Sequence, residues 1–288
     1  MPFTHLLLAL IANAAWAFNF IAGKAGVAHF PPLLFTTLRF ALLVLLLLPW
    51  LRPVPGQMRR VLLIAVVMGV IHFSMIFGGL AAAGDVSSVA IATQLYVPMS
   101  VLAGIWWLGE RPEPRRLLGT AIAFAGVLVI GFDPVVFLHP LALALIAGAS
   151  AAFAGASILM RGLKGVGVFT MQAWIALAAV LGLTPLTLLF EHGQAQAIAT
   201  ASWLEWGAPA YSAIGSSLVG HGIVYWLLKR HPVGVTAPLM LLSPVLAVIF
   251  GVTLWGDQLS WKLVVGGLMT LAGVAVINVR WPLRGTRP

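Results

Sequence analysis

The sequence predicts an all-α membrane protein of ten transmembrane helices, built as two inverted five-helix repeats with both termini in the cytoplasm. Three observations predict this fold: an apolar composition, a succession of membrane-length apolar runs, and an internal repeat. Of the 288 residues, 61% are hydrophobic and 8% are charged, whereas a soluble domain carries roughly 25% charged residues. Most of the surface must therefore face lipid.

The apolar runs are each about 20 residues long, which is enough to cross ~30 Å of hydrocarbon as a helix. They do not alternate polar with apolar residues, as the strands of a membrane β-barrel would. The first run has Ala-x-Ala spacings that resemble a signal peptide, but no basic residue precedes it, and we take it as a span. The predicted spans are 3–23, 31–50, 60–83, 86–107, 116–132, 138–160, 168–190, 204–228, 233–255 and 261–280.

The net charge of +9 predicts orientation rather than a nucleic-acid partner. With the N-terminus inside, Lys24 and Lys262 fall in outward loops, Arg39 falls inside a helix, and every other basic residue falls inward. This is the positive-inside pattern of a multi-pass protein, here of a bacterial inner membrane. The inward basic residues are Arg52, Arg59, Arg60, Arg111, Arg115, Arg116, Arg161, Lys164, Lys229, Arg230, Arg280, Arg284 and Arg287.

Two segments 147 positions apart repeat one another, LGTAIAFAGVLVI (118–130) and VGGLMTLAGVAVI (265–277). The similarity extends upstream and breaks near 132–140, which predicts one unit over 1–133 and a second over 138–288. A unit with an odd number of spans must enter the membrane from opposite sides in its two copies. Inverted repeats are typical of secondary transporters, whose substrate site lies at mid-membrane between the halves. A channel, or a duplication that merely stabilises a bundle, is the alternative.

The ends of the fourth and ninth predicted helices also match, as VPMSVLAGIWWLGE (97–110) and SPVLAVIFGVTLWGD (243–257). Together with TTLRFALLVLLL (36–47), these segments resemble the drug/metabolite transporter superfamily, in particular its EamA-type ten-helix exporters. Within that superfamily the chain is most similar to YddG-type aromatic amino-acid exporters. The resemblance implies export of aromatic or large neutral amino acids and related small metabolites from the cytoplasm by alternating access.

Polar residues inside the predicted spans are candidates for substrate binding, because charged and polar groups at membrane depth are expensive. Arg39 could pair with a substrate carboxylate, or it could bond helix carbonyls and act structurally or in gating. His72 and His221 could contact the substrate or carry a proton, or they could simply hold helices together. The predicted substrate-binding residues are Trp16, Asn19, Arg39, His72, Met75, Tyr96, Tyr211, Ser217 and His221.

Other functions are less well matched by the residues present. All seven acidic residues fall at predicted helix ends or in loops, so neither a carboxylate proton carrier nor an intramembrane protease dyad is indicated. We predict no enzyme activity, no cofactor and no metal, since the chain has no cysteine and no HExxH-type spacing. A sugar-phosphate carrier would need several Lys or Arg side chains directed into the bundle to bind the phosphate. Only Arg39 lies well within a predicted span, which favours a zwitterionic or neutral solute. One chain holds both halves, so a dimer is not required.

Overall fold

A computed structural model describes residues 1–231, 236 and 239–278, and throughout this part of the chain the regular structure is helical. The helices of the first half are α1 (Phe3–His29), α2 (Pro32–Leu46), α3 (Met58–Ala82), α4 (Ser87–Leu108) and α5 (Pro114–Gly131). Those of the second half are α6 (Pro140–Arg161), α7 (Val168–Phe190), α8 (Trp203–Tyr211 continued by Ser212–Gly220 and His221–Leu228), α9 (Leu242–Trp255) and α10 (Trp261–Asn278).

Six of these helices are long and apolar enough to cross a membrane, namely α1, α3, α4, α5, α6 and α7. Helices α2, α9 and α10 are apolar but shorter. The count of ten spans and the cytoplasmic position of the termini therefore stay predictions. The first residues of the predicted ninth span (233–235, 237 and 238) and Arg280, Arg284 and Arg287 lie outside the described residues.

Local sequence signals explain where the helices begin and end. Helices α2, α5 and α6 begin at prolines, whose fixed φ suits the first helical position. Ser202 and Glu205 form a capping box at the start of α8. Helices α4 and α9 both end at a left-handed glycine, Gly109 with φ 63° and Gly256 with φ 83°.

The predicted inward loops gather at one end of the bundle. Arg60 Nη1 donates to the carbonyl of Gly162 at 2.7 Å, and Gln57 Nε2 donates to the carbonyl of Lys164 at 2.9 Å. We call this the basic end. The opposite, acidic end holds three buried carboxylates and two lysines: Asp85, Asp133, Asp257, Lys24 and Lys262.

Helices α5 and α10 form the closest helix pair of the described structure. A methyl group added at Gly126 would lie 2.5 Å from the amide nitrogen of Thr270 and 2.6 Å from the carbonyl of Gly266. One added at Gly119 would lie 2.7 Å from the carbonyl of Gly273. The repeated glycines thus face one another, and the small side chains let two backbones touch in lipid. The repeated glycines predict close packing of these two helices on each other or on a neighbour, and in the structure they pack on each other.

The remaining helices pack in related pairs across the two halves. Helix α2 lies against α7, α1 against α8 and α9, and α6 against α3 and α4. The largest buried cluster joins α2, α3 and α7 around Phe40, Leu43, Ile64 and Leu183. It holds α2 rigidly, and Arg39 sits next to it.

Candidate functional site

Arg39 is the largest fully buried side chain among the described residues, with 2% of its surface exposed. Its guanidinium carbon lies over three rings, at 4.8 Å from the centroid of Phe40, 4.9 Å from Phe73 and 5.1 Å from Phe77. Its Nη2 donates to Ser217 Oγ at 3.0 Å. Its Nε and Nη1 are buried without a hydrogen-bond partner. The site thus holds a desolvated cation with two free donors.

Ser217 and His221 are positioned by an irregular stretch of α8. Ser212–Gly220 is a π-helix, in which bonds run between residues five apart, and such segments are frequent at functional sites. Ser217 Oγ accordingly donates to the carbonyl of Ser212 at 3.1 Å, and His221 Nδ1 lies 3.1 Å from the carbonyl of Ser216.

Helix α1 contributes three residues to the contacts in and next to this π-helix. The indole of Trp16 donates to the carbonyl of Ser216 at 3.2 Å, and its ring meets that of His221 edge to face at 5.1 Å. Asn19 Oδ1 accepts from Ser212 Oγ at 2.7 Å. Tyr211 bonds back to α1 through its hydroxyl, which donates to the carbonyl of Ala15 at 3.1 Å.

A second group of predicted residues lies between α3, α4 and α6. His72 Nδ1 lies 2.8 Å from the carbonyl of Ala149, and His72 ends a second π-helix, Val67–His72. The ring of Phe153 on α6 contacts both His72, at 5.5 Å, and Tyr96, at 4.9 Å. Met75 packs against α6 at Gly148.

Arg39 and Phe73 join the two groups. Phe73 contacts the ring of His72 at 4.8 Å while it also lies under the guanidinium of Arg39. Of the predicted residues, Ser217 contacts Arg39 directly and His72 reaches it through Phe73. We call the nine predicted residues, together with Phe73, the Arg39 cluster.

The contacts of the buried carboxylates at the acidic end were not predicted from the sequence. Asp257, which follows α9, is 7% exposed and accepts from the first amides of α4: Val86 N at 3.0 Å and Ser87 N at 2.7 Å. Ser87 Oγ donates to the same carboxylate at 2.6 Å. A carboxylate at a helix N-terminus is stabilised by the free amides and the helix dipole. The second half thus closes over the first at this end.

Asp85 adds a second carboxylate to the same helix start, where it accepts from the amide and hydroxyl of Ser88. Burial raises the pKa of Asp85 above its usual range, against the effect of the Ser88 bonds. Lys24 donates to the carbonyls of Leu80 and Ala83 at 2.8 and 2.6 Å. The sequence did hold one signal for this arrangement. Asp85 lies two residues before Ser87, and an Asp at that position is typical of a capped helix start.

The basic end differs, because a cavity of about 290 Å³ opens there. Tyr96 is the one member of the Arg39 cluster among its lining residues. Among the described residues no three His, Asp or Glu side chains come close enough to hold a metal ion.

Known proteins resemble the chain over most of its length. The model of the EamA-like transporter family matches twice, at residues 3–132 and 140–279. The chain belongs to the EamA-like transporter family. It is a transporter rather than an enzyme, a multi-pass protein of a bacterial inner membrane, and it acts on a small molecule.

Two relatives of this transporter are named as efflux pumps. A "Probable amino-acid metabolite efflux pump" of Escherichia coli (strain K12) is 24% identical over 96% of this chain and 95% of its own length. The protein of the same name from Salmonella typhimurium is 26% identical over 94% of this chain and 93% of its own. A solved crystal structure superposes with a TM-score of 0.61 at 19% identity and covers 96% of both chains, which shows the shared fold.

Proposed function

We propose that this transporter exports amino acids, aromatic or large neutral, and related small metabolites, and that Arg39 binds the substrate carboxylate. The observation that carries this proposal is the pair of buried, unpartnered donors on Arg39, Nε and Nη1. Leaving a charged donor desolvated and unpaired is expensive. A carboxylate fits a guanidinium bidentately through Nη2 together with either Nε or Nη1, and would therefore give one of the two free nitrogens its partner.

The surroundings of Arg39 support an aromatic or apolar solute. Phe40, Phe73 and Phe77 surround the guanidinium, and Trp16 and Tyr96 lie within the same cluster. Aromatic rings bind other rings through offset or edge-to-face contacts. The names of the relatives from Escherichia coli and Salmonella typhimurium also support amino-acid metabolites as the class of substrate.

Alternating access between two inverted repeats is the mechanism we propose. The left-handed glycines that end α4 and α9, the carboxylates that follow them, and the glycines of the α5–α10 crossing are all 147 residues apart. The helix contacts support the same relation, since α1 with α9 corresponds to α6 with α4. Two such units can open toward opposite sides by rocking about a shared site.

Efflux from liposomes tests the proposal. The purified protein is reconstituted with labelled phenylalanine, leucine and lysine inside, and the loss of each is followed with and without a proton gradient. We expect saturable efflux of phenylalanine and leucine that protein-free liposomes do not show. Flux that rises linearly with concentration would indicate a channel, and absence of flux for every amino acid would contradict the proposal.

A further inference from the structure

The cavity at the basic end that Tyr96 lines is a second polar site, and Tyr96 is the residue that it shares with the Arg39 cluster. Its volume of about 290 Å³ is close to the lower limit of small-molecule pockets, about 300 Å³. Its wall combines both signs of charge with a ring, a hydroxyl and a thioether. The residues used below are Tyr96, Ser100, Glu110, Arg116, Arg161 and Met240.

Glu110 is turned back along α4 by the local backbone. Gly109 adopts a left-handed conformation, and the amide of Glu110 donates to the carbonyl of Gly104 at 3.1 Å. The carboxylate lies against the Cα of Gly104, where an added methyl group would be 2.5 Å from Oε2. Tyr96 lies eight residues earlier, about 12 Å along the helix axis at 1.5 Å per residue. Glu110 and Tyr96 therefore mark the two ends of the cavity wall.

The carboxylate of Glu110 pairs with Arg161, with 2.5 Å between Oε1 and Nη1. The two side chains remain 41% and 51% exposed. An exposed ion pair contributes little to stability because water screens it. A ligand that offers both an ammonium and a carboxylate can therefore separate the pair and replace both partners at small cost.

The counterpart of Glu110 in the second repeat is used differently. Asp257 lies 147 positions later, after the same left-handed glycine, but it is buried and its oxygens accept from Val86 and Ser87. Both carboxylates follow a left-handed glycine at the end of a helix, Gly109 or Gly256. In the described structure Asp257 is committed to a helix start, whereas Glu110 lines an open cavity.

The Arg39 cluster offers no partner for the ammonium group of an amino acid. Arg39 offers donors for a carboxylate, but among the described residues no Asp or Glu belongs to that cluster. The cavity at the basic end supplies the missing charge in Glu110, with Arg161 and Arg116 for the carboxylate.

We propose that this cavity is an entry site for zwitterionic amino acids, in which Glu110 binds the ammonium and Arg161 the carboxylate. The inference rests on the proposed function and adds where the amino group is recognised. Tyr96 lines the cavity and contacts Phe153, whose ring also contacts His72. These rings connect the entry site to the Arg39 cluster.

The test compares transport of phenylalanine with that of 3-phenylpropionate, which lacks the amino group. In reconstituted liposomes, we expect Glu110→Gln to raise the KM for phenylalanine at least tenfold without changing kcat, and to leave 3-phenylpropionate unaffected. Glu113→Gln is the matched control, because Glu113 is 64% exposed, pairs with Arg115 at 3.7 Å and does not line the cavity. It should change neither substrate.

Arg161→Gln provides the second variant, and it should raise the KM of both compounds, since both carry the carboxylate. Each variant is first checked by gel filtration for a single folded species. The inference is overturned if Glu110→Gln changes kcat for both compounds equally, as a gate would, or changes neither. A wild-type protein that transports neither compound contradicts the proposed function itself, so the two failures are distinguishable.

Discussion

At the scale of single residues, the behaviour of Arg39 decides between a binding and a structural role. Its cage of three rings and its bond to Ser217 hold the guanidinium in place, which a structural arginine also requires. The free Nε and Nη1 are what a structural role leaves unexplained, because a buried donor without a partner destabilises the folded state.

Arg39→Lys separates the two roles, since it keeps the charge and removes the planar fork. If Arg39 binds the substrate carboxylate, we expect the KM for phenylalanine to rise about tenfold, which corresponds to ~1.4 kcal/mol, with a melting temperature close to that of the wild type. Saturation kinetics and a thermal melt in detergent measure both. Arg60→Lys at the basic end is the control. A large fall in melting temperature with unchanged KM would assign Arg39 to structure.

At the scale of helices, the crossing of α5 and α10 is the most constrained contact of the two halves. Backbone atoms of each helix fill the space that a side chain would take at Gly126 and Gly266 of its partner. Contacts of this kind give close van der Waals packing in lipid, where the hydrophobic effect does not drive helices together.

Gly126→Leu should therefore push α5 from α10 and destabilise the protein by about 1–3 kcal/mol, the usual range for overpacking. The yield of monodisperse protein and its melting temperature in detergent report this change. Gly207 on α8 is a matched helical glycine, and an added methyl there meets no atom within 4 Å. Gly207→Leu should behave like the wild type, and equal losses from both variants would contradict the packing argument.

The sequence predicted the helices and this crossing well, because apolar runs and repeated glycines depend on local composition. The π-helices at Val67–His72 and Ser212–Gly220 could not be predicted from the sequence, because hydropathy does not reveal a change of hydrogen-bond register. The role of Asp257 was hidden for another reason: its partners, Val86 and Ser87, are about 170 residues away in the chain.

At the scale of the whole molecule, the two ends of the bundle differ although the repeats match. Asp257 caps α4 at the acidic end, where Asp85 and Asp133 are also buried, whereas the basic end holds a cavity. The alternating-access cycle that we propose accounts for this asymmetry as one of its states, with the acidic end closed. The proposed cycle then carries a solute from the basic end, past Tyr96, to Arg39.

The central claim is that the transporter recognises its substrate through the carboxylate. Counterflow tests this most directly: liposomes are loaded with unlabelled phenylalanine, phenylalanine amide or phenylethylamine, and uptake of labelled phenylalanine is measured. We expect phenylalanine alone to drive uptake, because the other two lack the carboxylate that Arg39 needs. Equal uptake driven by the amide or the amine would contradict the account.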